Sequence, residues 1–141
     1  MRKVIKTVLV GPEKFIPKIH AEDASLSEDN KDIKDRPMVF MVKKMTREDR
    51  LNLQSLIETE AREINGKTQL VPLNFGTIAR YLWENCVLEV RNVLTKEGEF
   101  ESVIGQEKDQ LFNTEGIDVE IVDCLDHIQK ISSLSEEESK N

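Results

Sequence analysis

Between Pro12 and Pro37 the chain loses all apolar periodicity, and this interval limits what the rest can build. Residues 21–36 carry six acids, Glu22, Asp23, Glu28, Asp29, Asp32 and Asp35, with few apolar anchors. Such a stretch buries too little surface to offset its ordering entropy, about 1–2 kcal/mol per residue. It is expected as an extended acidic arm or long loop. The core must then come from the flanks. Residues 4–10 are dense in β-branched side chains and stop at Gly11-Pro12, which reads as a strand. Pro37 opens Met38-Val39-Phe40-Met41-Val42, a second strand. Two strands alone make a marginal sheet, so helices or another chain must cover them.

The helices are read from spacing. Thr46 is placed to cap a helix whose first turn holds Glu48 and Asp49. Leu53, Leu56, Ile57, Ala61 and Ile64 continue it as one apolar stripe over 47–64, and Asn65-Gly66 supplies a left-handed cap. After an extended Gln69-Leu70-Val71-Pro72, a second helix starts at Asn74 with Phe75, Ile78, Tyr81, Leu82 and Cys86 on its stripe and Trp83 on the flank. Residues 87–90 fit either its continuation or a strand. Residues 93–100 read as a loop or hairpin tip with Gly98 at positive φ. A short helix over 106–113 follows.

The last helix spans 117–131, with Ile117, Ile121, Cys124, Leu125, Ile128 and Ile131 on one face and Asp118, Glu120, Asp123 and Asp126 on the other. Ser132-Ser133 is expected to break it, leaving an acidic tail capped by Ser135. The expected fold is α+β, a small N-terminal β region of two or three strands followed by about four helices. The expected organisation is a strand and extended acidic arm (1–37), a compact α+β domain (38–134) and an acidic tail (135–141).

Composition narrows the partners. The 141 residues are 38% hydrophobic and 33% charged, with a net charge of −7, which allows one domain with a modest core. Gripping phosphate backbones needs clustered Lys and Arg, whereas here they alternate with acids, as in Lys31-Asp32-Ile33-Lys34-Asp35-Arg36. Direct nucleic-acid binding is therefore not expected. No apolar run approaches the ~20 residues that cross a bilayer. The start, Met1-Arg2-Lys3, resembles a signal peptide, but Lys6-Thr7 interrupts it and no small-residue cleavage site follows, so secretion is not expected.

Catalytic patterns are equally sparse. Phosphate-binding glycine loops, zinc-protease motifs and nucleophile elbows do not occur in the sequence. Asp123 and His127 share a helix face and could orient an imidazole, yet no nucleophile lies at a fixed spacing. Cys86 and Cys124 stand apart from each other and from any histidine cluster, as free buried thiols do. Glu58, Glu60 and Glu63, and Glu136 to Glu138, lack the acid-and-glycine alternation of calcium loops. The expectation is a non-enzymatic protein without cofactor or metal. Its partner-facing residues are expected to be Trp83, Asn85, Phe15, Glu136, Glu137 and Glu138.

The order of several short motifs carries a resemblance. Phe40-x-x-Lys43-x-Met45-Thr46-x-Glu48 leads into a striped helix, Tyr81-x-Trp83-Glu84-Asn85 follows, then Lys96-Glu97-Gly98-Glu99-Phe100 and Gln106-Glu107-Lys108. The chain closes on Leu134-Ser135-Glu136-Glu137-Glu138-Ser139-Lys140-Asn141. Over residues 38–141 this order resembles tail assembly chaperones and minor virion structural proteins of tailed bacteriophages. Cys86-Val87-Leu88-Glu89 lengthens the connection those proteins often have, and residues 1–37 fall outside the resemblance. It implies a morphogenesis protein that contacts tail or head–tail components as a homo- or hetero-oligomer in the host cytoplasm. The alternatives are retention in the virion as a multicopy structural protein, or an acidic inhibitor of a host nucleic-acid enzyme.

Overall fold

The structure, a computed structural model, describes residue 2 and residues 11–56, 59–72 and 75–140, without the side chains of 59–60, 70–72 and 134–140. The strand expected at residues 4–10 lies outside the described residues. The chain begins with β1 (Glu13–Phe15), α1 (Lys18–Ala21), a 3₁₀ turn (Ile33–Asp35), β2 (Val39–Val42) and α2 (Arg47–Leu56). It continues with β3 (Thr59–Ile64), β4 (Lys67–Pro72), α3 (Phe75–Cys86), β5 (Val87–Thr95), β6 (Gly98–Val103), α4 (Gly105–Leu111) and α5 (Asp118–Lys140). The fold is mixed α+β. Four antiparallel strands form a sheet in the order β1-β2-β5-β6, and β3 pairs with β4 alone.

Alternation along β2 sends Phe40 and Val42 to one face and Val39 to the other. The first face joins Val87, Val90, Val93 and Val103 to Leu82, Trp83 and Cys86 of α3, Leu111 of α4 and the Ile121–Ile131 stripe of α5. Trp83 sits in this core, edge-on to Phe40 with ring centroids 5.9 Å apart. Lys108, also buried, closes the end of α3 by donating from Nζ to the Trp83 carbonyl at 2.8 Å.

The reverse face explains the polar interval. The 3₁₀ turn rests on β5 and β6, and Val39 is buried there although no apolar segment covers it. Hydrogen bonds take the place of apolar burial. Arg36 donates from Nε to the Asn30 carbonyl at 2.6 Å and from Nη2 to the Lys31 carbonyl at 3.1 Å, and its Nη1 meets Glu101 at 3.3 Å. Asn92 donates to the Pro37 carbonyl at 2.9 Å. Residues 13–37 are thus bound to their own sheet and to α5 rather than extended as a free arm.

Two other expectations are corrected, and one open alternative is decided. The 47–64 span is not one helix: α2 covers Arg47–Leu56 and residues 59–64 are β3, because Asn65 and Gly66 take φ of 54° and 77° and close a two-residue β-turn pairing Ile64 with Lys67. Two positive φ values in succession are the type I′ geometry that matches strand twist. Residues 87–90 leave α3 as a strand. Ser132 does not break the last helix: its hydroxyl donates to the Ile128 carbonyl at 2.7 Å, and α5 runs through to Lys140. The cap at Thr46 forms as expected, with Asp49 N–H donating to Thr46 Oγ1 at 3.1 Å and Thr46 N–H to Asp49 Oδ2 at 2.9 Å.

Candidate interaction surfaces

The β3–β4 hairpin stands outside the core. All of residues 61–69 are exposed, and no described side chain of either strand joins the core cluster. A two-stranded sheet has two unpaired edges, each a row of backbone donors and acceptors. Where the chain returns from the hairpin, Phe75 opens α3 with 66% of its surface exposed. Phe75 was expected on the buried stripe of that helix. It lies in the first turn, before the helix meets the sheet, so the stripe's burial begins only at Ile78.

The expected partner-facing residues are dispersed. Trp83 is corrected from surface to core: its indole is wholly buried and donates from Nε1 to the Lys108 carbonyl at 2.9 Å. Phe15 stacks on the His127 ring with centroids 4.4 Å apart, which leaves its face occupied. Asn85 is exposed and turns its amide onto the Tyr81 carbonyl at 2.9 Å. Glu136, Glu137 and Glu138 belong to α5, and their side chains lie outside the described residues. Trp83, Phe15 and Asn85 therefore present no common exposed patch.

Below the Thr46 cap, α2 and α3 share a carboxylate. Burial pushes the Asp49 carboxyl up, but Thr46 N–H, the Tyr81 hydroxyl, the Thr46 hydroxyl and the Lys43 ammonium outweigh it, and it is held below the usual carboxylate range. Tyr81 in turn accepts from Asn52 at 3.1 Å. Every member has a structural partner, so this cluster fastens elements together. Burial pushes the Cys86 thiol up to about 11 and Cys124 higher still, and both are free. Neither is poised as a nucleophile.

Asp123 and His127 do not form the pair their spacing allows. Asp123 Oδ2 accepts the Lys18 backbone N–H at 2.7 Å, and His127 Nε2 faces Glu13 at 3.1 Å. His20 adds a third tie: Nδ1 accepts the Met38 N–H at 3.2 Å, so Nε2 carries the proton toward Glu120 at 3.3 Å. These contacts hold β1 and α1 along α5. Among the described residues no group of three or more His, Cys, Asp or Glu is arranged to hold a metal ion. No described helix is long and apolar enough to cross a membrane.

No protein-family model, curated protein or solved structure matches the chain.

Beside this seam a groove opens between α1 and α5, about 600 Å³ in volume. Its apolar wall is Ile19, Val119 and Val122, all more than half exposed. The last helix thus has two apolar stripes: Ile121, Cys124, Leu125 and Ile128 face the core, while Val119 and Val122 face out. The second stripe is hidden in the sequence because Asp118 and Glu120 adjoin Val119 and Asp123 adjoins Val122, so that face reads as solvated.

Proposed function

We propose that the chain is a non-enzymatic morphogenesis protein of a tailed bacteriophage that works by protein–protein contact in tail or head–tail assembly, as a chaperone-like escort in the host cytoplasm. The observation that carries this reading is the β3–β4 hairpin, whose strands pair only with each other among the described residues and add no described side chain to the core. A strand edge of this kind is well suited to contacts outside the chain. The motif order over residues 38–141 supplies the phage setting.

The test is co-purification from infected cells. A tagged chain is expected to bring down tail or head–tail components, and exchanging the hairpin for a short Gly-Ser link is expected to abolish this with the fold intact by circular dichroism. Mass spectrometry of purified particles separates the two forms of the proposal: clean absence fits an escort, and stoichiometric multicopy presence fits a structural protein. A chain that joins no virion component and is missing from particles sinks both.

A further inference from the structure

We propose that the α1–α5 groove is a docking site for a basic amphipathic helix of a partner protein; this inference does not depend on the functional reading above. The floor is aliphatic, with Ile19 56%, Val119 63% and Val122 58% exposed. Around it stand four carboxylates, Glu22, Asp118, Asp123 and Asp126, against the single ammonium of Lys18. Lys18 is paired with Glu22 at 3.8 Å, and Asp123 is engaged by the Lys18 backbone N–H. Asp118 and Asp126 form no ion pair or hydrogen bond among the described residues. An occupant therefore needs aliphatic side chains flanked by Lys or Arg.

The walls also fix the occupant's backbone. Both are helical, a single turn in α1 and the first turns of α5, and neither presents the row of alternating backbone donors and acceptors that a strand edge does, so the groove offers no ladder to an extended strand. A partner segment must satisfy its own backbone there, which a helix does. Asp118 and Asp126 are eight residues apart on α5, a rise of about 12 Å. Basic residues about seven or eight positions apart on the partner helix reach both, with aliphatic residues at the intervening turn over Val119 and Val122. The carboxylates set charge preference and encounter rate more than depth of binding.

Two synthetic helical peptides with the same leucine positions, one with lysine at both flanking positions and one with glutamate, test this by titration into the full chain at low salt. Methyl NMR signals of Ile19, Val119 and Val122 are read. The lysine peptide is expected to shift these methyls and to bind about tenfold or more tightly than the glutamate peptide. The Asp118→Lys/Asp126→Lys variant is expected to reverse that preference. Equal affinities, no methyl shift up to about millimolar peptide, or shifts confined to another face overturn the proposal. Concentration-dependent shifts of the same methyls without peptide mean that a second copy fills the groove, and they overturn it too. The wild-type comparison decides the matter even if the double variant fails to fold.

Discussion

Lys108 and Trp83 close each other's exits: the ammonium donates to the Trp83 carbonyl at 2.8 Å, and the indole N–H donates to the Lys108 carbonyl at 2.9 Å. A second contact from the ammonium reaches the Glu84 carbonyl at 3.4 Å, so a cation sits where the α3 dipole is negative. Asp109 Oδ1 lies 2.7 Å from the same nitrogen, off the hydrogen-bonding direction and otherwise without a hydrogen-bond partner among the described residues. Lys108→Met keeps the stem but uncaps α3, and is expected to lower stability by about 1–2 kcal/mol. Lys108→Ala adds a void and is expected to cost about 2–3 kcal/mol. Urea titration followed by the emission of the single tryptophan measures both; equal stability of all three proteins refutes the assignment.

Asp49 makes the fold sensitive to acid. Its folded carboxyl titrates below the unfolded one, so its contribution is whole above about pH 4 and disappears as pH falls through the folded value. Asp49→Asn is expected to be less stable by about 1–2 kcal/mol at pH 7 and to lose less on acidification. Denaturation midpoints taken between about pH 7 and pH 3 check this, and parallel curves for the two proteins rule it out.

The hairpin turn is expected to fail locally. Gly66 stands at φ 77°, where a side chain costs about 1 kcal/mol, so Gly66→Ala should loosen β3–β4 pairing. Amide exchange within residues 59–72 is expected to rise about fivefold, while the urea midpoint reported by Trp83 does not move. A matching fall in the midpoint means that the hairpin and the core unfold together.

Native thiols are expected to be silent. Burial opposes ionisation of Cys86 and Cys124, so an aromatic disulfide reagent at about pH 8 should modify them at least a hundredfold more slowly than in ~6 M guanidinium. Rapid native labelling of either residue contradicts their burial.

The sequence disclosed most where one physical signal acted alone. The Thr46–Asp49 cap, the core stripe of α5 and the strand after Pro37 follow directly from residue types and spacing. It misled where two signals shared a string. Asn65-Gly66 ends helices and also closes type I′ hairpins, and the apolar step from Leu56 to Ile64 suited the first reading. Val87, Val90 and Val93 face the core at a spacing of three, which imitates a helix. In β5 that spacing comes from a register shift opposite Met41/Val42 that leaves Leu88 outside the ladder, and from Asn92 at φ 59°. Neither backbone feature leaves a periodic mark. The polar interval offers few apolar anchors, and the contacts of Arg36 with Glu101 and of Asn92 with Pro37 that seat it join residues too distant for local pattern to reveal.

Those two irregularities in β5 have a consequence for how the chain finds its shape. A regular strand that slips by one residue still offers an intact ladder, merely with the wrong face inward. β5 has no such near-miss, because a slip would move the left-handed Asn92 away from Pro37 and place the bulged Leu88 where a paired residue belongs. Its central strand therefore works like a notched key: β2 and β5, separated by the whole of α2, the hairpin and α3, fit in one alignment, and misaligned encounters have no foothold from which to grow.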